Sequence, residues 1–257
     1  MAAMTPVRSG AADPARTLTL LWRGELPGSG SGRGPQQGLS LDAIVAAGIA
    51  LADAEGMDAV SMRRVATALG SAPMTLYTYV PGRDELVELM LDQAYLQMPA
   101  GAGRGRSWRT RVRAVIDANR DLYQRHPWVA VVDTTRPPLG PGAVAKYERE
   151  LSALDGHGLD DVTMDAALAW TLAFVRDWAR TAAAAEQVRR STALTEQQWW
   201  DRAGPLLDRV LDPARYPLAV RVGASAGGEQ GAAWDAVRAF DFGAARVLDG
   251  LAPLFAS

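Results

Sequence analysis

Ser61-Met-Arg-Arg-Val-Ala-Thr-Ala-Leu-Gly70-Ser-Ala-Pro-Met-Thr-Leu-Tyr-Thr-Tyr-Val80 decides the reading of this chain. Ser61 offers a hydroxyl to cap a helix start. Val65, Ala66 and Leu69 then recur on one face of a short helix. Gly70 stops it, because glycine tolerates the left-handed backbone of a helix end. After Ser71 and Ala72, Pro73 fits the first position of a second helix, where its missing N–H is not needed. That helix runs to about Tyr79, and Pro81-Gly82 closes it. A helix, a glycine-containing turn and a short helix make a helix-turn-helix. Leu69, Leu76 and Val80 lock the pair, which turns Pro73, Met74, Thr75, Tyr77, Thr78 and Tyr79 outward. So short a helix adds little core, and its use is to set side chains into a DNA major groove. Threonines bond base edges or phosphates, and apolar groups meet thymine methyls. Tyrosine hydroxyls and arginines suit phosphate oxygens.

The helical pattern extends in both directions. Ser40 caps a helix whose inner face is Leu41, Ile44, Val45, Gly48 and Ala52, ending at Gly56. A helix over about 84–97 follows the motif, with Asp84 and Glu85 complementing its dipole. Ser107 caps a longer helix reaching His126-Pro127, and a short one covers 128–134. Further helices are predicted over 143–155, 160–188, 196–211 and 232–252. Thr195 and Gln198 form a capping box. No stretch alternates with period two, so the fold class is all-α. Residues 1–39 lack periodicity and contain Pro27-Gly-Ser-Gly-Ser-Gly-Arg-Gly-Pro35, which reads as a flexible arm carrying Arg8, Arg16, Arg23 and Arg33. An apolar spot in it, Leu18, Leu20, Leu21 and Trp22, can dock on a folded surface. The chain thus divides into an arm (1–39), a helix-turn-helix domain (40–85) and a larger helical domain (86–257).

The 257 residues, 48% of them hydrophobic, suffice for a core, and the absence of cysteine excludes disulfides, thiolate nucleophiles and zinc fingers. The apolar run Ala166–Val175 stops at Arg176, short of the ~20 residues a span requires. No signal peptide is legible, so a cytoplasmic protein is expected. The net charge of −2 hides an uneven distribution. Residues 40–98 hold Arg63, Arg64 and Arg83 against eight acids, so the head itself has little charge for phosphate neutralisation. That balance keeps a second reading open: a helical small-molecule-binding protein whose head does not bind DNA. On the first reading the arm, Arg33 foremost, supplies cations to the minor groove.

Enzymatic constellations are missing: no Gly-x-Ser-x-Gly, no His-Glu-x-x-His, no phosphate loop and no dinucleotide fingerprint. The chain reads as a non-enzyme with no cofactor and no metal site, since His126 and His157 are its only histidines. Seven of the eight tryptophans follow residue 107, more aromatic surface than a bundle needs. Trp128, Trp170, Phe174 and Trp178 are therefore candidate walls of a pocket for a small organic effector. Asn119, Thr135, Arg136, Tyr147 and Asp177 are its candidate polar groups. Each tryptophan, taken singly, reads first as core or subunit contact. The helices at 160–188 and 232–252 carry surplus apolar faces and predict a homodimer.

Residues 40–98 resemble the tetracycline-repressor (TetR) family of transcriptional regulators. The resemblance rests on Ala-Asp-Ala-Glu-Gly56, Met-Arg-Arg-Val-Ala66, Leu69-Gly70, Met74-Thr-Leu-Tyr77, Tyr79-Val80 and Leu86-Val-Glu-Leu-Met90. Thr135-Arg136-Pro137 and Phe242-Gly243…Leu248…Gly250-Leu251 extend it to the C-terminal region. It implies a homodimer with two heads for double-stranded operator DNA and a ligand-responsive body. It implies that Met62 and Arg63 meet backbone or base, that Pro73, Met74 and Thr75 read bases, and that Tyr77, Tyr79 and Arg83 clamp phosphates. Ala72 replaces the family's frequent Ser or Thr cap. Val132 stands where the tetracycline repressor has a metal-ligating histidine, which implies an effector recognised without metal.

Overall fold

The computed structural model describes residues 7–25, 39–99, 107–230 and 234–255. Among these residues the secondary structure is helical, apart from one parallel bridge between Arg8 and Asp133. Helix α1 (Pro14–Leu21) lies in the arm. The head consists of α2 (Leu41–Glu55), a 3-10 turn at Met57–Ala59, α3 (Met62–Ala68) and α4 (Pro73–Leu76). Helix α5 (Arg83–Leu96) leads from the head into the body. The body comprises α6 (Trp108–Arg125), α7 (Pro127–Val131), α8 (Pro141–Leu151), α9 (Asp161–Thr192), α10 (Glu196–Val210), α11 (Pro217–Gln230) and α12 (Ala236–Leu251), with a final 3-10 turn.

The caps legible in the sequence form. Ser40 Oγ accepts from the Ala43 amide at 3.1 Å, and Ser61 Oγ from the Arg64 amide at 3.3 Å. Gly70 takes φ +62°, and the Ser71 amide folds back to the Ala66 carbonyl at 2.9 Å. Ala72 precedes α4 without a side-chain cap. The Thr195–Gln198 capping box opens α10.

Two apolar clusters hold the described chain. The first joins α2, α3, α4 and α5 to Leu122, Trp128, Val129 and Val132, so head and body share a core through α5. The second gathers Val112, Val115 and Ile116 of α6, Leu168 and Val175 of α9, and Phe240, Val247 and Leu251 of α12. Gly48 permits the close crossing of α2 and α5, since a Cβ there would come within 2.9 Å of Met90 Sδ.

Several helices end a few residues from their expected bounds, α4 closing at Leu76 rather than Tyr79, and two helices lie where none is expected. Part of the arm is helical: Asp13 Oδ1 accepts from the Arg16 amide at 2.9 Å, and Pro14 occupies the first turn. Helix α11 falls where no helix is expected, because Gly223, Gly227 and Gly228 depress helix propensity. No described helix is long and apolar enough to cross a membrane.

Candidate functional site

The outward face of α4 and the turn after it is as the spacing requires. Pro73, Met74, Thr75, Tyr77, Thr78 and Tyr79 are all exposed, with Met74 at 74%, while Leu76 and Val80 are fully buried. Arg63 of α3 is exposed as well. The acids that lower the head's charge are mostly occupied elsewhere. Glu85, Glu88 and Asp92 are buried. Glu55 is held by Arg64 Nη1 and Nη2 at 2.9 and 2.6 Å, which keeps its carboxyl below the usual range. Asp53 accepts from Trp128 Nε1 at 2.8 Å and faces His126 Nδ1 at 2.9 Å. The α4 face itself therefore presents hydroxyl, aromatic and apolar groups rather than carboxylates, a surface fit for a phosphate-lined groove.

Two residues assigned to DNA sit otherwise. Met62 is buried, because the first turn of α3 faces the head core, so it cannot reach a groove. Arg83 donates from Nε to the Val60 carbonyl at 2.8 Å and from Nη2 to the Met57 carbonyl at 2.9 Å. It fastens the 3-10 turn to the start of α5, and these donors are not free for phosphate. Arg33 lies outside the described residues.

The residues proposed for one pocket do not converge. Trp128 is buried near the head, bonded to Asp53. Thr135 and Arg136 are exposed; the Thr135 hydroxyl donates to Asp133 at 2.6 Å, lowering that carboxyl, and Arg136 reaches the Gly10 carbonyl. Tyr147 donates to Asp165 at 2.7 Å on the surface, and Asp177 is exposed. Trp170 and Phe174 lie along α12, over Gly250 and Gly243, and Trp178 Nε1 donates to the Ala236 carbonyl at 2.8 Å. These aromatics fasten α9 to α12.

Only Asn119 of that set belongs to the polar centre of the body. Its Nδ2 donates to Glu150 Oε1 at 2.6 Å and to the Val115 carbonyl at 3.0 Å. Its Oδ1 is buried with no partner among the described residues. Lys146 Nζ sits 2.7 Å from both Glu150 oxygens. Burial pushes the nearby Tyr123 hydroxyl up to about 12, and Tyr95 is raised for the same reason. Two clefts meet at Val115 and Glu150. One, too narrow to admit a water molecule, is lined by Val112, Leu154, Leu168 and Thr171. The other, with about 20 Å³ of free space, runs between Met98, Ala118, Lys146 and Arg149. Lys146 and Glu150 stand one turn apart on an amphipathic helix and look like a solvated pair in sequence, so pattern alone did not single them out.

Comparison with known proteins agrees with this layout. Residues 44–90 match the model of bacterial regulatory proteins of the tetR family, and residues 101–254 match the tetracyclin repressor-like C-terminal domain. The chain belongs to the tetR family. It is 39% identical over 250 residues to the HTH-type transcriptional repressor DrrR1 of Streptomyces coeruleorubidus, covering 96% of this chain and 89% of that one. Among solved structures it is similar to ActR of Streptomyces coelicolor in complex with actinorhodin, at 25% identity and TM-score 0.69, covering 86% of this chain and 99% of that chain. ActR in complex with (S)-DNPA gives 27% identity and TM-score 0.67, covering 84% and 98%. As a tetR-family protein the chain is a DNA-binding, ligand-responsive transcriptional regulator. In it, α5 connects head and body: Asp92 Oδ1 accepts from the Ala143 amide at 2.8 Å at the start of α8, and α8 carries Lys146 and Glu150.

Proposed function

We propose that this chain is a homodimeric repressor that holds double-stranded operator DNA and releases it when a small organic effector enters the body. The observation that carries the reading is the exposed α4 face, with Glu85, Glu88 and Asp92 of the head buried and Glu55 paired. The effector site is the cleft between α6 and α8, with Lys146, Glu150 and Asn119 as its polar pole. The larger cleft has only about 20 Å³ of free space, far below the roughly 300 Å³ of a small-molecule site, so entry requires α6 and α8 to move apart. The contact of α8 with Asp92 passes that displacement to α5 and so to the head. Ligand shifts the heads because it favours the arrangement with the wider cleft. A gel shift against the DNA flanking its own coding region tests the reading. Absence of any retarded band favours the alternative, a helical small-molecule-binding protein with a silent head.

Within this reading Thr75, Met74 and Pro73 read bases, while Arg63, Tyr77, Thr78 and Tyr79 set register on phosphates. Arg63→Ala is expected to weaken binding equally on operator and random duplex and to lower the salt slope by about one. Thr75→Ala is expected to change base preference instead, by about 1–3 kcal/mol at one position. Equal losses for both variants in a competition titration contradict these roles.

The dimer forms on α9 and α12. Trp170, Val237 and Phe242 leave an apolar face exposed, with Phe242 at 65%. Phe242→Glu is expected to give a monomer by light scattering at micromolar concentration. An unchanged dimer mass places the interface elsewhere.

A further inference from the structure

The arm segment 7–25 is attached to three separate parts of the chain. Its backbone pairs with the loop before α8: the Ser9 amide donates to the Asp133 carbonyl at 2.8 Å, and the Asp133 amide to the Val7 carbonyl at 3.0 Å. Trp22 Nε1 donates to the Leu139 carbonyl at 2.7 Å in the same loop. Arg23 pairs with Asp42 in the first turn of α2. The third attachment is to α5. Ser9 Oγ lies 2.8 and 3.0 Å from the two oxygens of Glu88, and the Gly10 amide donates to Glu88 Oε1.

Glu88 is 3% exposed, and a buried carboxylate needs partners. Burial raises its carboxyl, and the Gly10 and Ser9 bonds oppose that rise. Gly10 is suited to the contact on two counts. Its φ is +71°, and a Cβ there would come within 2.6 Å of Arg136 Cβ. Glu88 and Asp92 are one turn apart on α5, so the helix is gripped twice. Asp92 holds the first turn of α8, and Glu88 holds the arm. A movement of α5 driven from α8 must pull Glu88 against Ser9 and Gly10.

We infer that residues 7–25 form a strap that clamps α5 in one orientation and sets how readily the head moves relative to the body. This rests on the reading of α5 as the link between effector and DNA. The strap biases an equilibrium between head arrangements. Without it, α5 samples more orientations, and the fraction of dimers with correctly spaced heads falls. Apparent operator affinity falls by that fraction. Random DNA, which requires no fixed spacing, is bound as before.

The test uses Ser9→Ala and Gly10→Val in the full chain, and a chain lacking residues 1–12. None removes Arg16, Arg23 or Arg33; the deletion removes Arg8, so random-duplex affinity and salt slope are compared in Ser9→Ala and Gly10→Val, which keep it. Amide hydrogen exchange is measured first, without DNA or effector. Loss of a hydrogen bond to a charged group is expected to speed exchange in 83–96 about ten-fold, with α9 unchanged. Operator binding is then expected to weaken about ten-fold, with random-duplex affinity and salt slope as in the parent. Unchanged exchange in 83–96 for all three variants overturns the strap. So does faster exchange throughout α9, which marks a general loss of stability. Equal weakening on operator and random DNA overturns it as well, since the segment then touches DNA itself. If the parent chain binds no duplex, the regulator reading fails, and the exchange result alone decides the strap.

Discussion

Gly142→Ala should lower the stability of the protein by about 3 kcal/mol, which is a fall of roughly 6–12 °C in the thermal midpoint for a chain of this size. Gly142 is the second residue of α8 and is buried. A Cβ on it would land on the main-chain oxygen of Asp92, and within 2.9 Å of Leu96 Cγ. The obstacle is largely α5 backbone, which cannot swing aside as a long side chain can, so the cost belongs at the upper end for overpacking. If α8 retreats, the Ala143 amide leaves Asp92 Oδ1, now at 2.8 Å. Asp92 is 4% exposed and would keep a buried carboxylate with fewer donors. Gly223→Ala is the control. It lies within α11 with open space around its Cβ position, so there alanine should be neutral or stabilising by up to about 1 kcal/mol. Melting curves of the two variants beside the parent decide the matter. A Gly142→Ala midpoint within 2 °C of the parent, roughly what 0.5–1 kcal/mol produces, rejects the α5–α8 contact as described.

The legibility of the sequence followed the range of the interactions involved. The head was readable because its determinants are local: Ser40 and Ser61 cap, Gly56 and Gly70 stop, and Pro73 starts. The outward set Pro73, Met74, Thr75, Tyr77, Thr78 and Tyr79 followed from those few decisions. Met62 and Arg83 went differently because their partners are tertiary: the head core for one, the carbonyls of Met57 and Val60 for the other. The body shows the same limit more strongly. Choosing pocket residues by type selected aromatics, but aromatics also fasten helices, and Phe174 sits over Gly243 where a Cβ would collide with its ring. Nothing local in the sequence marks Glu88 and Asp92 as buried; the arm and α8 cover them. Helix α1 starts on a local cap, Asp13-Pro14, within an arm whose Gly/Ser-rich run reads as flexible.

The polar centre of the body predicts the other large effect. Lys146→Met should destabilise the protein by about 3–5 kcal/mol, because it breaks a buried pair by removing one partner. The side chains of Lys146 and Glu150 are only 12% and 6% exposed. Lys146 Nζ lies 2.7 Å from both carboxylate oxygens, and without it the charge on Glu150 is left with the single side-chain donor Asn119 Nδ2. Methionine retains much of the stem that packs beside Tyr95, so the loss reports the charge rather than the volume. A second substitution separates the two contributions. Glu150→Gln in the Lys146→Met background removes the orphaned charge and leaves an amide oxygen for Asn119. Most of the lost stability should return, since replacing a whole buried pair often costs far less than breaking it. Denaturant midpoints of the parent, the single variants and the double variant close the cycle. A Lys146→Met loss under about 1 kcal/mol means the pair behaves as a surface ion pair, and the polar pole of the cleft is then solvated rather than buried.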